Sequence, residues 1–471
     1  MNAADIPLLS ATALSRLVRN REVSPVEAVE AYLERIDRLD GKLNSFITVC
    51  RDEVLEAARE AERAIAGGRY LGPMHGIPVA VKDQVYTKGV RTTDGSKILE
   101  GFVPDEDATV IAKLKAAGAV LLGKLNMSEF AMGVIFDHSY GTPRNPWDLE
   151  RNPGSSSSGS GAATAACLCA TSLGEDTAGS IRNPANWCGI VGLRPTWGRV
   201  SRHGVMGGTW SMDTIGPLAR TVEDCAITMQ AIAGHDPKDP YTWAVPVPDY
   251  HASLDGNISG LRVGVLTQLA ESDTLDPEYR AAVTAAISVL GDLGGVIEEV
   301  SLPLAEHCGT ITTGISAPEW ASLRRRTFTG RLDELDHNTR IRYLRASIIP
   351  SQTYYKAQKL RALVRRQVLD ALERVDVLVS PTGPVPAPPV ESVPGVHGKE
   401  EAAAELAGRS AFTGPFNLAG LPALSVPCGF TSNNLPLGLQ IGGRAFAEET
   451  VMKVAHAYEQ STPWHRRNPP I

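Results

Sequence analysis

Residues 152–163 read Asn-Pro-Gly-Ser-Ser-Ser-Ser-Gly-Ser-Gly-Ala-Ala, and residues 175–182 read Glu-Asp-Thr-Ala-Gly-Ser-Ile-Arg. Two serine-bearing, glycine-rich turns therefore flank a run of small apolar residues. Upstream, Val79-Ala80-Val81-Lys82-Asp83 sets a lysine at the end of an apolar strand pattern. Hydroxyls on tight turns plus one lysine are the parts needed for covalent acyl transfer without histidine. Ser180 follows Thr177, Ala178 and Gly179, and successive backbone N–H groups in such a turn can converge on an oxyanion. The serine run at 155–158 has the composition of a flexible linker. It is bounded by Pro153, however, and it enters an alanine-rich segment of core character, which a linker would not do. A lysine at a strand end usually reaches back to water. Held under cover, Lys82 would lose its charge and become a base.

Outward from these turns, short apolar strands alternate with helices, and this argues an α/β fold. Strands are expected at 77–81, 119–122, 261–266, 424–427 and 439–441. Helices are expected at 108–117, 161–172, 276–292 and 448–459. The first sixty-odd residues read as helices. Ser24-Pro25-Val26-Glu27 is a start signal, and Val26, Val29, Leu33 and Ile36 form one apolar stripe. A second N-terminal helix runs from about 52 to 66 and stops at Gly67-Gly68. The segment 317–375 reads as a helical, charged, exposed layer. The proline-rich stretch 381–394 reads as a loop.

The chain has 471 residues and a formal net charge of −7. That length can bury a large core. The charge, with no long basic run, argues against a nucleic-acid surface. There is no signal-peptide pattern and no apolar run long enough to span a bilayer, so the expectation is a cytoplasmic protein without a membrane role. The seven cysteines are scattered, and Cys167 and Cys169 would sit on different faces of a helix. Buried, reduced thiols are the expectation, with no metal site.

Rival motifs fall short. Gly118 to Lys124 matches most of a phosphate-binding loop, but Leu125 replaces the Mg²⁺-binding hydroxyl and the stretch reads as a buried strand. No Gly-x-Ser-x-Gly elbow surrounds Ser180, and no Ser-x-x-Lys or His-Glu-x-x-His occurs. His203 stands alone after Arg202 and reads as a surface or packing residue.

Three stretches together carry a resemblance: residues 76–83, 154–160 and 176–182. They are similar to the three signatures of the amidase signature family. The likeness continues through 183–196, 211–221, 416–423 and 438–440, while 240–400 matches loosely. The resemblance implies one amidase signature domain over 1–471. Within it lie an N-terminal helical layer (1–70), catalytic core motifs (71–235), a variable pocket region (240–400) and a return to the core (401–471). It implies a large twisted mixed β-sheet covered by helices on both faces. It also implies a Ser–cisSer–Lys triad: Ser180 as acylated nucleophile, Ser156 after a cis peptide as bridge, and Lys82 as base. The oxyanion hole would be the N–H groups of Thr177, Ala178, Gly179 and Ser180. Ser155, Ser157, Asp176 and Arg182 would support the site. The chain departs from the family pattern at Ser155, Ser158 and Ala178, where glycines are usual. All three swaps are small and none removes a catalytic group.

The expected activity is cleavage of the C–N bond of carboxamides, with anilides, carbamates (urethanes) or esters also open to a serine acyl-enzyme. The alternative is an amidotransferase A-type subunit that makes ammonia from glutamine for a partner. Against it, the 317–345 segment lacks that subunit's arginine- and glycine-bearing stretch, and the segment before Phe416 lacks its aspartate-containing pattern. The substrate pocket is assigned to Met132, Gly133, Val134, Ile135 and Trp210. The expected partners are a small amide and water as acyl acceptor, with no nucleic acid, no membrane and room for a homodimer. No cofactor is expected.

Overall fold

The computed structural model describes residues 2–132, 138–390 and 411–471. Its frame is a sheet of eleven strands among the described residues. The first six are β1 (Phe46–Val49), β2 (Pro78–Lys82), β3 (Val120–Leu125), β4 (Thr171–Asp176), β5 (Val191–Arg194) and β6 (Thr214–Ala219). The others are β7 (Arg262–Leu266), β8 (Val296–Val300), β9 (Val377–Pro381), β10 (Ala423–Phe430) and β11 (Pro436–Gly443). Their order across the sheet is β1-β3-β2-β4-β6-β5-β10-β11-β9-β7-β8. β2 runs parallel to β3 and β4, and β7 runs parallel to β8 and β9. The other pairs are antiparallel. The sheet is therefore mixed and, with the helices that connect its strands, the fold is α/β.

The strands that carry the signature residues lie at the centre of one half of this sheet. β2 and β4 are buried at every position, as expected of parallel neighbours covered on both faces. The helix Pro25–Leu43 starts with the expected capping box of Ser24 and Glu27 and buries Val29, Leu33 and Ile36.

The structure differs from the sequence expectation in several elements. The helix expected at 161–172 spans Ser158–Ala165 and stops before Cys167, which takes a left-handed φ of 58°. Residues from Thr171 on form β4 instead. A short run of small apolar residues has no periodicity that separates buried helix from buried strand. β1 lies inside the stretch read as wholly helical. β5, β6, β8 and β9 also carried no expectation. In β6 the Gly216-Pro217 pair hides the strand signal. Gly216 is needed there, since a Cβ would fall 2.1 Å from the Leu193 carbonyl oxygen of β5.

The 317–375 layer is helical, as Cys308–Phe328, His337–Ser347 and Ser351–Arg374. It is not merely an exposed cover: Trp320 and Phe328 are fully buried against Phe130. All seven cysteines are buried and unpaired. Of the proline-rich loop, residues 391–394 lie outside the described residues.

Candidate active site

Lys82 closes β2 and has no solvent exposure. Its Nζ donates to Ser156 Oγ at 2.7 Å and lies 3.3 Å from Glu175 Oε2. Ser156 follows a cis peptide to Ser155 and is itself buried. The serine run is thus a packed turn. Gly159 makes it possible, because a Cβ there would fall 2.3 Å from the Ser45 carbonyl oxygen and 2.6 Å from the Asn126 nitrogen. Ser157 Oγ donates to the Glu175 carbonyl at 3.3 Å and accepts from the Glu175 N–H, which ties the turn to β4. Ser155 is half-buried.

β4 delivers the other turn. It ends at Asp176, and the chain then bends through Thr177, Ala178 and Gly179 to Ser180, which is partly exposed. Gly179 has a φ of 116°, a backbone state that favours glycine. Asp176 pins the bend from within. Its carboxylate accepts from the N–H groups of Gly179 (2.8 Å) and Ile181 (3.3 Å) and from Asn417 Nδ2 (2.9 Å). It also pairs with Arg182 at 3.1 Å and Arg194 at 3.2 Å, all with side chains wholly buried. Burial alone would raise the pKa of Asp176, but the two guanidiniums outweigh it and hold the carboxyl well below its usual range. Arg182 reaches on to Gln440 Oε1 and Asn417 Oδ1, each at 2.6 Å, so it buttresses the turn from β11 and the 414–419 helix.

The electrostatics at Lys82 set two effects against each other. Burial pulls its ammonium down from the ordinary lysine value, while the neighbouring Glu175 pushes it back up. Burial raises the Glu175 carboxyl, and Lys82 opposes that rise. The second oxygen of Glu175 lies 2.8 Å from the Thr177 hydroxyl, which is also 2.6 Å from Asp213 Oδ1. Asp213 Oδ2 accepts from the N–H groups of Gly208 (2.8 Å) and Thr209 (2.7 Å). A nearly dry row of Lys82, Glu175, Thr177 and Asp213 therefore runs behind the two serine turns.

The structure brings Lys82 and Ser156 together and sets Ser157, Asp176 and Arg182 around the Ser180 turn. One detail of the expected oxyanion hole changes: the Gly179 N–H is engaged by Asp176. A short Asx-type bond of this kind holds the turn's shape. The pocket residues separate. Met132 is half-buried beside Phe130 and Trp320, and its carbonyl accepts from Arg342. Trp210 is 52% exposed, leans on Tyr241 and lines a cavity of about 210 Å³ with Glu175, Asp213 and Arg202. It faces the Glu175 side of the site, since neither Ser156 nor Ser180 lines that cavity. Gly133, Val134 and Ile135 lie outside the described residues. Sequence reasoning gave no role to Glu175, Asp213, Arg194 or Asn417. The one signal in the sequence was an acid five residues before Ser180, inside an otherwise buried run.

Among the described residues no cluster of His, Cys, Asp or Glu could hold a metal ion, and no helix is long and apolar enough to cross a membrane.

The chain matches the Amidase family over residues 27–452 and belongs to it. It is an enzyme of the amidase signature family acting on carbon–nitrogen bonds. It is 44% identical to the A-type subunit of glutamyl-tRNA(Gln) amidotransferase from Moorella thermoacetica, with 98% of each chain covered. Among solved structures, the corresponding A-type subunit from Thermotoga maritima superimposes with a TM-score of 0.81 at 33% identity, covering 98% of this chain and 96% of that one. The peptide amidase of Stenotrophomonas maltophilia gives a TM-score of 0.84 at 32% identity, covering 98% of both.

The amidotransferase subunits among these relatives favour the amidotransferase alternative over the general amidohydrolase reading. They also overturn the expected partner set, a small amide and water with no nucleic acid, no membrane and room for a homodimer, because that set leaves no place for a partner protein. That expectation came from a stand-alone amidase, whereas the relative at 44% identity is an amidotransferase subunit. Triad chemistry is blind to this difference, because docking surfaces carry no catalytic motif.

Proposed function

We propose that this chain is the amide-cleaving subunit of an amidotransferase, releasing ammonia from glutamine for a partner protein to use. The observation that carries this reading is the 44% identity, over 98% of both chains, to the A-type subunit of an amidotransferase.

The 2.7 Å contact between Lys82 and Ser156 supports the proton relay of this chemistry. Neutral Lys82 takes the Ser156 proton as Ser156 takes that of Ser180. The Ser180 oxygen then adds to the carboxamide carbon. The N–H groups of Thr177, Ala178 and Ser180 remain to hold the oxyanion, worth about 3 kcal/mol per donor in comparable sites. The proton returns along the relay to the leaving nitrogen, the C–N bond breaks and ammonia departs. Hydrolysis of the Ser180 ester restores the hydroxyl. Asp176, Arg182, Ser155 and Ser157 keep both turns in register. No cofactor enters this scheme. The same reading treats residues 1–471 as one domain, which the strands drawn from all along the chain into one sheet support. Seven unpaired cysteines suit a reducing cytoplasm.

One observation favours a second reading, hydrolysis of a different small carboxamide. Arg324, on the helix Cys308–Phe328, spends its charge on buried Asp94 at 2.6 Å. On the same helix Glu319 is spent on Ser211. Arg324 Nη2 and the Glu319 carboxylate are thus engaged within the protein.

Ammonia release from glutamine, asparagine, an aliphatic amide and an aryl amide separates the two. The wild type and Ser180→Ala are compared, alone and in complex with the other subunits of the enzyme. Preference for glutamine that rises in the complex supports the first reading. Preference for another amide, indifferent to the complex, would replace it with the second.

A further inference from the structure

We propose that Glu175 is a positioning residue for the relay, aiming the Lys82 amine at Ser156 and stabilising the ammonium formed as Ser180 loses its proton. The proposal rests on acyl transfer at Ser180.

The geometry carries it. Among the described residues Lys82 Nζ has two hydrogen-bond partners, Ser156 Oγ at 2.7 Å and Glu175 Oε2 at 3.3 Å, and all three side chains are buried. One neighbour passes the proton and the other holds the charge. Behind Glu175 the Thr177 hydroxyl lies 2.8 Å from Glu175 Oε1 and 2.6 Å from Asp213 Oδ1. Asp213 is anchored in turn by two backbone N–H groups. The Thr177 hydroxyl carries one proton and donates it to one of these two carboxylates at a time.

The step balances. The Ser180 proton moves to the Ser156 oxygen, and the proton Ser156 already held moves to Lys82. The neutral amine beside a carboxylate becomes an ammonium beside a carboxylate, a pair whose attraction is strong where water is excluded. A buried carboxylate behind the histidine of serine proteases does the same for an imidazolium. Here the base is a lysine, and burial works against its charged form, so the counter-charge matters more. The other charged groups facing this pair are Asp94 and Asp213 toward Lys82, Asp176 toward Glu175, and Arg194 from β5.

The test uses a fluorophosphonate, which forms an O–P bond with an activated serine and expels fluoride, so it reports nucleophile activation without needing the natural substrate. Labelling rates are read by intact mass from about pH 5 to about pH 10 for wild type, Glu175→Gln and Ser180→Ala. Activation requires neutral Lys82, so the rate rises with pH through the lysine's titration. Removing the carboxylate favours the neutral amine, so the acid limb of Glu175→Gln moves about one to three pH units lower. Its plateau rate falls about tenfold to a hundredfold, because the ammonium has lost its counter-charge.

An unmoved limb, whether the plateau is kept or lost, would overturn the proposal and leave Glu175 a packing group. Glu175→Ala is read by the same criteria if the glutamine variant does not fold. Labelling absent from the wild type, or retained in Ser180→Ala, would instead sink the acyl-transfer reading itself.

Discussion

The Nζ of Lys82 lies 2.7 Å from the hydroxyl oxygen of Ser156, and both are sealed from water. Ser180, on the neighbouring turn, is partly exposed. In the proposed relay the base and the bridge are thus hidden, and the proposed nucleophile is the member a substrate can reach. Ser156→Ala should remove the bridge while leaving Ser180 and its turn in place. Turnover should fall about 10²–10⁴-fold, the usual worth of positioned proton transfer. The thermal midpoint, read by circular dichroism in parallel, should move far less than the rate.

The pH profile of the wild type follows from the burial of Lys82. A base must be neutral to act, so turnover should rise with pH as Lys82 loses its proton. Burial lowers that titration from the ordinary lysine value of about 10.4. The rise should therefore be complete below the range where exposed lysines titrate. A rate that keeps climbing through that range would mean an unperturbed Lys82.

Asp176 is the strongest stabilising acid in the site. Two buried guanidiniums hold its folded-state pKa below the unfolded one. Its stabilisation is therefore full above the unfolded value, near pH 4, and is lost as pH falls through the lower folded value. Asp176→Asn should cost about 3–5 kcal/mol at neutral pH by leaving Arg182 and Arg194 without their counter-charge. Urea denaturation at neutral pH and at about pH 3 should show the gap between variant and wild type narrowing in acid.

Gly179→Ala should separate shape from stability. At a φ of 116° any side chain is strained, and the added Cβ would stand 2.9 Å from both Asn183 Nδ2 and Thr413 Oγ1. The expected cost is about 1–3 kcal/mol of stability. The turn that presents Ser180 should be displaced, so the rate should fall by more than that stability loss alone would explain. Full activity in a destabilised Gly179→Ala protein would count against the turn's role in holding the oxyanion.

Much of this was legible in the sequence because the catalytic parts are local. The turns at 154–160 and 176–182 and the strand ending at Lys82 each occupy a few consecutive residues, and their glycines and serines have few other uses. The strands β2, β3, β7, β10 and β11 were legible as short apolar runs, and the helix Pro25–Leu43 through its Ser24 cap and apolar stripe. What the sequence hid is long-range. Glu175 looks like any acid beside a turn until β2 and β4 pair and set it 3.3 Å from Lys82. Trp210 packs by Tyr241 and lines a cavity with Glu175 and Asp213, a neighbourhood that only the folded chain shows. The strand β6 was masked by Gly216-Pro217, whose glycine is there for close packing on β5. Partner choice was misread because the triad tolerates any acceptor and leaves no trace of a docking surface.

The most direct test of the acyl-enzyme mechanism is the mass of the protein during turnover. Glutamine is mixed with the wild type and quenched in acid within the first turnovers, and the intact protein and its Ser180 peptide are weighed. The mechanism predicts one acyl group on Ser180 in the wild type, a slower appearance of it in Ser156→Ala, and none in Ser180→Ala. Ammonia release without an adduct on Ser180, or release that survives Ser180→Ala, would contradict it.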